Sequence, residues 1–345
     1  MPPLGERPHI LIVRTSALGD IIHALPVLTA LRRRYPEARI GWAVEKTFAP
    51  VLADHPWIDE LFEVRLRPWR KRPWAVRHEI RNAIQRLRTF RADLAIDLMG
   101  NHKGALLARA SGARYILGPS RAFRREGSSA LWIHRGVDTP GRHAVDRYLD
   151  VLAPLGLPPA EVDFAAQHIL TQPPDDIRHF LGARERPFVL IQAGAGWANK
   201  TWPAPWWGQV ARALRDDPGV DVFVPLAPGE ESLAQTLVDT SDGAARTVDT
   251  RPFAALAAVL RRGRLVLGGD TGPLHMAHAF GTPVLCLVGP TDPERNGPYR
   301  SPEQWLWHEL PCSNCYKRFD EPKACLLALH PDRVIERARE LLATT

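Results

Sequence analysis

The stretch HILIVRTSALGDIIHALP, His9 to Pro26, decides how the rest of the chain is read. HILIVR (9–14) is an aliphatic run of strand length. Within a few residues it gives way to a glycine, a carboxylate and an apolar helical pattern. A buried strand that hands over to a helix through a short loop opens a βα unit. VLTALRRRYP (27–36) reads as a helix ending before Pro36. Pro26 leaves the helix start open, either near Asp20 with a kink or nearer Pro26 itself. Asp20 then stands at the C-terminal edge of the first strand. A carboxylate in that place serves either as a helix cap or as a catalytic base.

The alternation continues outward from this stretch. ARIGWAVE (38–45) reads as a second strand and VLADHPWIDEL (51–61) as a short helix. HEIRNAIQRLRTF (78–90) carries Ile80, Ile84, Leu87 and Phe90 three or four apart, a helical face. ADLAIDLMG (92–100) is a buried strand, and KGALLARAS (103–111) and RHAVDRYLDVLAPLG (142–156) are helical. TQPPDDIRHFLGARERP (171–187) is polar and rich in proline, so it reads as a linker containing some helix. The pattern restarts at FVLIQAGAG (188–196) and closes with a helix, PDRVIERARELLATT (331–345). The expectation is an α/β protein with mostly parallel sheets. One domain spans residues 1–170, a linker 171–187, a second domain 188–330, and a final helix 331–345.

A length of 345 residues suits two domains. No apolar run approaches a membrane span, and the run near the N-terminus is too short for a signal peptide. A cytoplasmic protein is expected. The net charge is +7, and the arginines cluster in RLRPWRKRPWAVR (65–77) and SRAFRRE (120–126). No zinc-finger, RNP or helix-turn-helix signature accompanies them, so nucleic acid is not the expected partner. An anionic membrane or a multiply acidic ligand suits such local clusters better. Arg67, Arg70, Lys71 and Arg125 are candidates to hold an acidic acceptor, because guanidinium forks match carboxylate and phosphate. Cys312, Cys315 and Cys325 form C-x2-C-x9-C. With His308 or His330 they would make a four-ligand metal site, but the spacing matches no strong zinc signature, and reduced thiols are expected.

The second half carries three ligand-compatible loops, each after a strand. GGDTGPLHMAHAFGTP (268–283) ends a buried strand in a tight turn and opens a helix with Pro273 in its first turn. Free N–H groups and the positive dipole end at that point suit phosphate oxygens, and the Thr271 hydroxyl adds a donor. The alternative is that Asp270 or Thr271 only caps the helix. QAGAGWANKTWP (192–203) presents Lys200, and APGEE (227–231) presents Glu230, which suits ribose hydroxyls. Together the three loops point to a nucleotide in the second half.

SALGDIIHALPVLTAL near the N-terminus and GGDTGPLHMAHAFGTPVLCLVGPTDP near the C-terminus resemble the ADP-heptose:lipopolysaccharide heptosyltransferases, glycosyltransferase family 9. RPWRKRPW (67–74), RREGSSALW (124–132) and HAVDRYL (143–149) are most like the heptosyltransferase I group, which adds the first heptose to Kdo of the lipid A inner core. The cysteine tail is more like heptosyltransferase II, which keeps heptosylated core open as an alternative acceptor. The resemblance implies a GT-B fold: two Rossmann-like domains facing across a cleft, with the C-terminal helix packing back on the first. It implies inverting transfer from ADP-heptose with no cofactor and no catalytic metal, at the cytoplasmic face of the inner membrane. Carried over by position, Asp20 matches the general base and Lys200 a lysine near the donor. Glu230 matches the ribose contact, and Asp270, Thr271, Gly272, Leu274 and His275 match the ADP loop. Arg67, Arg70, Lys71 and Arg125 match basic acceptor-binding positions. The rival reading is a non-enzymatic protein that binds anionic surfaces.

Overall fold

The computed structural model describes residues 3–72, 74–157, 162–184, 186–216 and 220–344; the side chain of Arg70 lies outside the description. The chain divides between Ile169 and Leu170 into two compact units. The first holds a six-stranded sheet of β1 (His9–Val13), β2 (Arg39–Glu45), β3 (Glu60–Val64), β4 (Leu94–Asp97), β5 (Tyr115–Pro119) and β6 (Arg135–Val137). The second holds β7 (Phe188–Gln192), β8 (Asp221–Leu226), β9 (Ala245–Asp249), β10 (Leu265–Gly269), β11 (Val284–Val288) and β12 (Trp305–Trp307). The orders are β3-β2-β1-β4-β5-β6 and β12-β11-β10-β7-β8-β9, and the registers are parallel throughout. Numbered from its own first strand, each unit therefore has the doubly wound order 3-2-1-4-5-6. The α/β expectation holds in both halves.

The central strands are legible because they are buried on both faces. β4, β7, β10 and β11 have no exposed residue, so each reads as a continuous apolar run. Four strands that the sequence reading passed over, β3, β6, β9 and β12, are the edges of the two sheets. β5, next to one edge, was passed over too. The stretch 51–61 is corrected accordingly: only Ala49–Leu52 is helical, and Glu60 begins a strand. Asp59 sets that edge by accepting from the Ile40 N–H at 2.7 Å and pairing with Arg32 at 2.9 Å.

Three further helices bear on the expectations. The first helix runs from Leu18 to Arg34, straight through Pro26. An interior proline costs about 3 kcal/mol, whereas each large apolar side chain buried contributes about 1.5–3 kcal/mol. Ile21, Ile22, Leu25, Leu28 and Leu31 are all fully buried on this helix, so burial outweighs the proline. The stretch expected as a linker carries the helix Asp175–Gly182, whose Phe180 packs edge-on against Phe223 with centroids 5.0 Å apart. The closing helix, Pro331–Thr344, packs into the core of the second unit through Val334, Ala338, Leu341 and Leu342.

Candidate functional site

In a doubly wound sheet, ligands meet the C-terminal strand ends where the strand order reverses, between strands one and four. That point lies between β1 and β4 in the first unit and between β7 and β10 in the second. The principal site residues named from sequence follow these strands: Asp20 after β1, Lys200 after β7, and Asp270 after β10.

In the first unit Asp20 occupies the third position of the helix Leu18–Arg34. Its Oδ2 accepts the Ala17 N–H at 3.2 Å, half of a capping box. The same oxygen pairs with Arg14 at 2.5 Å, and Oδ1 accepts the Tyr148 hydroxyl at 3.0 Å. Arg14 is itself fixed, donating to the Leu98 carbonyl at 2.7 Å, while its guanidinium lies 5.1 Å from the centre of the Tyr148 ring. Burial tends to raise the Asp20 pKa, but Arg14, the Ala17 N–H and the Tyr148 hydroxyl together hold it below the ordinary carboxylate value. Despite three partners, the side chain remains 36% exposed. Asp20 caps the helix start and still presents an ionised carboxylate.

β4 contributes a second carboxylate of another kind. Asp97 and Arg124 form an ion pair with both side chains fully buried. Arg124 also donates to Ser129 Oγ at 2.7 Å and to the Pro119 carbonyl at 3.1 Å. Two glycines make room for the pair. A Cβ at Gly104 would fall 2.3 Å from Asp97 Oδ1, and one at Gly118 would fall 2.9 Å from an Arg124 nitrogen. The pair pins the segment that carries Arg125, which is exposed. Arg67 and Lys71 are exposed on the short helix Leu66–Lys71, which follows β3. The cations expected for an acceptor thus stand after β3 and β5, while the groups on the Asp20 carboxylate are Arg14 and Tyr148.

In the second unit Lys200 and Asp270 form one buried network. Lys200 Nζ lies 2.5 Å from Asp270 Oδ2, which also accepts the Thr291 hydroxyl at 2.7 Å. His275 Nε2 lies 2.9 Å from Asp270 Oδ1. The Gly268-Gly269 pair allows this approach, since a Cβ at Gly269 would stand 2.8 Å from the Lys200 carbonyl oxygen. Burial works to raise the Asp270 pKa, but Lys200 and His275 overcome it and hold the carboxyl far below the usual range. Asp270 is only 5% exposed, and its two oxygens are taken by Lys200, Thr291 and His275.

Thr271 caps the helix Gly272–Ala279, yet its side chain makes no capping bond, and its buried Oγ1 has no partner among the described residues. A hydroxyl and free N–H groups therefore meet at the start of this helix. The Leu274 side chain is fully buried, so what it can offer a ligand is its backbone N–H in the first turn. Glu230 ends the turn after β8 and accepts from Gln192 Nε2 at 3.2 Å; burial pushes its pKa up. It rests where a Gly194 side chain would be, with a Cβ there only 2.0 Å from its Cδ. Trp197 is flanked by Lys200 Nζ at 4.8 Å and by the Arg318 guanidinium at 4.4 Å.

Arg14, Tyr148, Asp97, Arg124, Thr291 and Arg318 were not singled out from sequence. Arg14 meets Asp20 within one strand–helix connection, whereas the others meet partners remote in sequence; Tyr148 lies 128 positions from Asp20. The cysteines are free thiols, and no group of three or more metal-ligating side chains occurs among the described residues.

The sequence profile of Glycosyltransferase family 9 (heptosyltransferase) matches residues 80–325. Lipopolysaccharide heptosyltransferase 1 of Pseudomonas aeruginosa is 31% identical, over 97% of this chain and 98% of its own length. The structure of Escherichia coli heptosyltransferase WaaC with ADP superposes with a TM-score of 0.80 at 27% identity, covering 96% of this chain and 99% of that one. WaaC with ADP-2-deoxy-2-fluoro heptose gives 0.78 over the same shares at the same identity.

Proposed function

The chain belongs to glycosyltransferase family 9, and from that premise we propose that it moves L-glycero-D-manno-heptose from ADP-heptose to Kdo of the lipid A inner core, inverting the anomeric carbon. The observation that carries this reading is Asp20: ionised, braced by Arg14 and Tyr148, and still open at the switch point of its sheet. The heptosyltransferase identity of the relatives and the ADP-heptose analogue bound by WaaC support the donor.

Asp20 takes the proton of an acceptor hydroxyl as its oxygen bonds to the anomeric carbon. The bond from that carbon to the diphosphate oxygen breaks, and ADP leaves with the electron pair. The transition state is oxocarbenium-like, by analogy with glycosidases. Charge growing on the diphosphate is met by Lys200, the Thr271 hydroxyl and the N–H groups of the helix Gly272–Ala279. Glu230 takes the ribose hydroxyls. These cations and dipoles fill the place of a metal in the proposed step. Arg14 lowers the basicity of Asp20 but keeps it ionised across neutral pH.

Arg67, Lys71 and Arg125 hold the acidic acceptor, and the enzyme works at the cytoplasmic face of the inner membrane. No helix among the described residues is long and apolar enough to cross a membrane, so attachment there is peripheral. The cysteine tail keeps heptosylated core as the second acceptor to try. The test is mass spectrometry of Kdo-lipid A after incubation with ADP-heptose and a chelator. One added heptose supports donor, acceptor and metal independence together. No product from protein that binds ADP moves the acceptor elsewhere.

A further inference from the structure

The 3-10 turn Gly127–Trp132 holds two large apolar side chains out of the protein. Leu131 is 85% exposed, and Trp132 is exposed beside it. The turn is bolted from behind. Ser129 is fully buried, donates to the Glu126 carbonyl at 2.5 Å, and accepts from Arg124 at 2.7 Å. Arg124 is locked in turn by Asp97. The exposure of Leu131 and Trp132 is therefore imposed by a rigid anchor.

The neighbouring helix His102–Ala110 extends the same face. Trp132 Nε1 donates to His102 Nδ1 at 3.3 Å, which seats the indole on the first turn of that helix. Leu106, four residues on and so on the same side, is also exposed. The same helix and segment carry the exposed cations Lys103, Arg109, Arg121, Arg125 and Arg135. Within residues 102–110 and 121–135 the one acid is Glu126, and its carboxylate already accepts the His102 N–H at 2.7 Å. None of the five cations has a carboxylate partner among the described residues. The turn follows β5 and the helix follows β4, so Lys103 and Arg121 lie near the C-terminal sheet edge that Asp20 also follows, while Arg109 and Arg135 lie farther along the face, Arg135 opening β6.

We propose that this face, built from the helix His102–Ala110 and the segment 121–135, docks the protein on an anionic lipid bilayer, with Leu131 and Trp132 entering the interface and the cations meeting lipid phosphates. Exposed apolar side chains on a face whose cations lack carboxylate partners match that surface in both chemistry and sign. A protein partner of ordinary mixed charge would leave several of the cations unmatched. The inference rests on the peripheral-membrane part of the proposed function, and it places the contact after β4 and β5, on the second of the two arginine clusters in the sequence, 120–126, and not on 65–77.

The test is flotation of the full chain with vesicles of phosphatidylcholine alone or mixed with phosphatidylglycerol, without donor or acceptor. The wild type is expected to float with the anionic vesicles and to be released by salt. Leu131→Glu is expected to weaken partition at least about tenfold, and Arg135→Gln about fivefold. Both variants should keep ADP binding and melting temperature. The proposal is overturned if the wild type does not float, or if Leu131→Glu floats like it. It is equally overturned if Trp74→Ser abolishes flotation while Leu131→Glu does not. A wild type that self-associates without vesicles, and becomes monomeric with Leu131→Glu, identifies a second copy as the occupant and also overturns it. Flotation needs no turnover, so its failure is separable: heptose transfer to a detergent-dispersed acceptor without flotation removes only the docking proposal.

Discussion

Each unit places a Gly-Asp pair between a parallel strand and a helix, and the two aspartates end in opposite states. Asp20 keeps a side chain 36% exposed, whereas Asp270 is 5% exposed. Both are paired to a cation at 2.5 Å, and both have pKa values below the ordinary range. The difference lies in the position relative to the helix. Asp20 is inside the first turn, where one face meets solvent. Asp270 precedes the capping residue Thr271 and is closed over by Lys200, His275 and Thr291. One motif therefore yields a group free to exchange a proton and a group that fixes others in place.

The sharpest way to break this contrast is Asp20→Asn. The asparagine carbonyl oxygen still accepts the Ala17 N–H and its amide N–H can donate to the Tyr148 hydroxyl oxygen, so the helix start survives, and turnover is expected to fall about 10²–10⁴-fold. Turnover close to wild type would remove Asp20 as the base. Asp270→Asn should act mainly on stability. Leaving Lys200 nearly buried and unpaired costs about 3 kcal/mol, read from denaturant unfolding, and ADP affinity should fall as Lys200 moves. An unchanged unfolding midpoint would contradict the buried network.

Acid titration sharpens the same comparison once another group is accounted for. His55 is buried, and burial, His168 and Arg32 depress its pKa from 6.5 to about 4. A histidine depressed in the folded state stabilises fully above its unfolded pKa, and that contribution is lost as pH falls from 6.5 through about 4. The loss is on the order of 3 kcal/mol. His55→Asn should flatten stability across this window. The two aspartates, whose folded values are lowered, lose their contributions only below the usual carboxylate range. A His55→Asn variant with the same pH dependence of stability as the wild type from pH 6.5 to 4 would show that His55 is not held neutral.

The smallest expected effect is that of Tyr148→Phe. It removes one hydrogen bond to a charged group, worth about 1.5 kcal/mol, and turnover should drop roughly tenfold. The acid limb of the activity profile should move upward as Asp20 loses support for its charged form. A drop with no shift of that limb would mean that Tyr148 orients Asp20 without tuning it.

Much of this protein was legible without coordinates. β1, β4, β7, β10 and β11 lie inside their sheets, and burial on both faces leaves them as apolar runs. The glycines that open the loops after β7 and β10 were visible for the same reason: backbone approaches backbone there, and a Cβ at Gly269 would collide with the Lys200 carbonyl. The edge strands were hidden because half of each faces solvent. β6 is only Arg-Gly-Val and β12 only Trp-Leu-Trp. The start of the first helix, near Asp20 or nearer Pro26, stayed open in the sequence because propensity is local and the burial that overrides it is not.

By itself the sequence determined the two βα series, the candidate carboxylate and lysine, and the family, because strand burial, turn chemistry and motif spacing are written along the chain. Only the tertiary structure decided how those residues are held. It made Asp20 an open ionised carboxylate and Asp270 a buried brace, drew Arg14 and Tyr148 onto the first, and sent the closing helix into the second unit. The reason is range. Charge state and exposure depend on partners from distant segments, and such pairings exist only once the strands are ordered side by side.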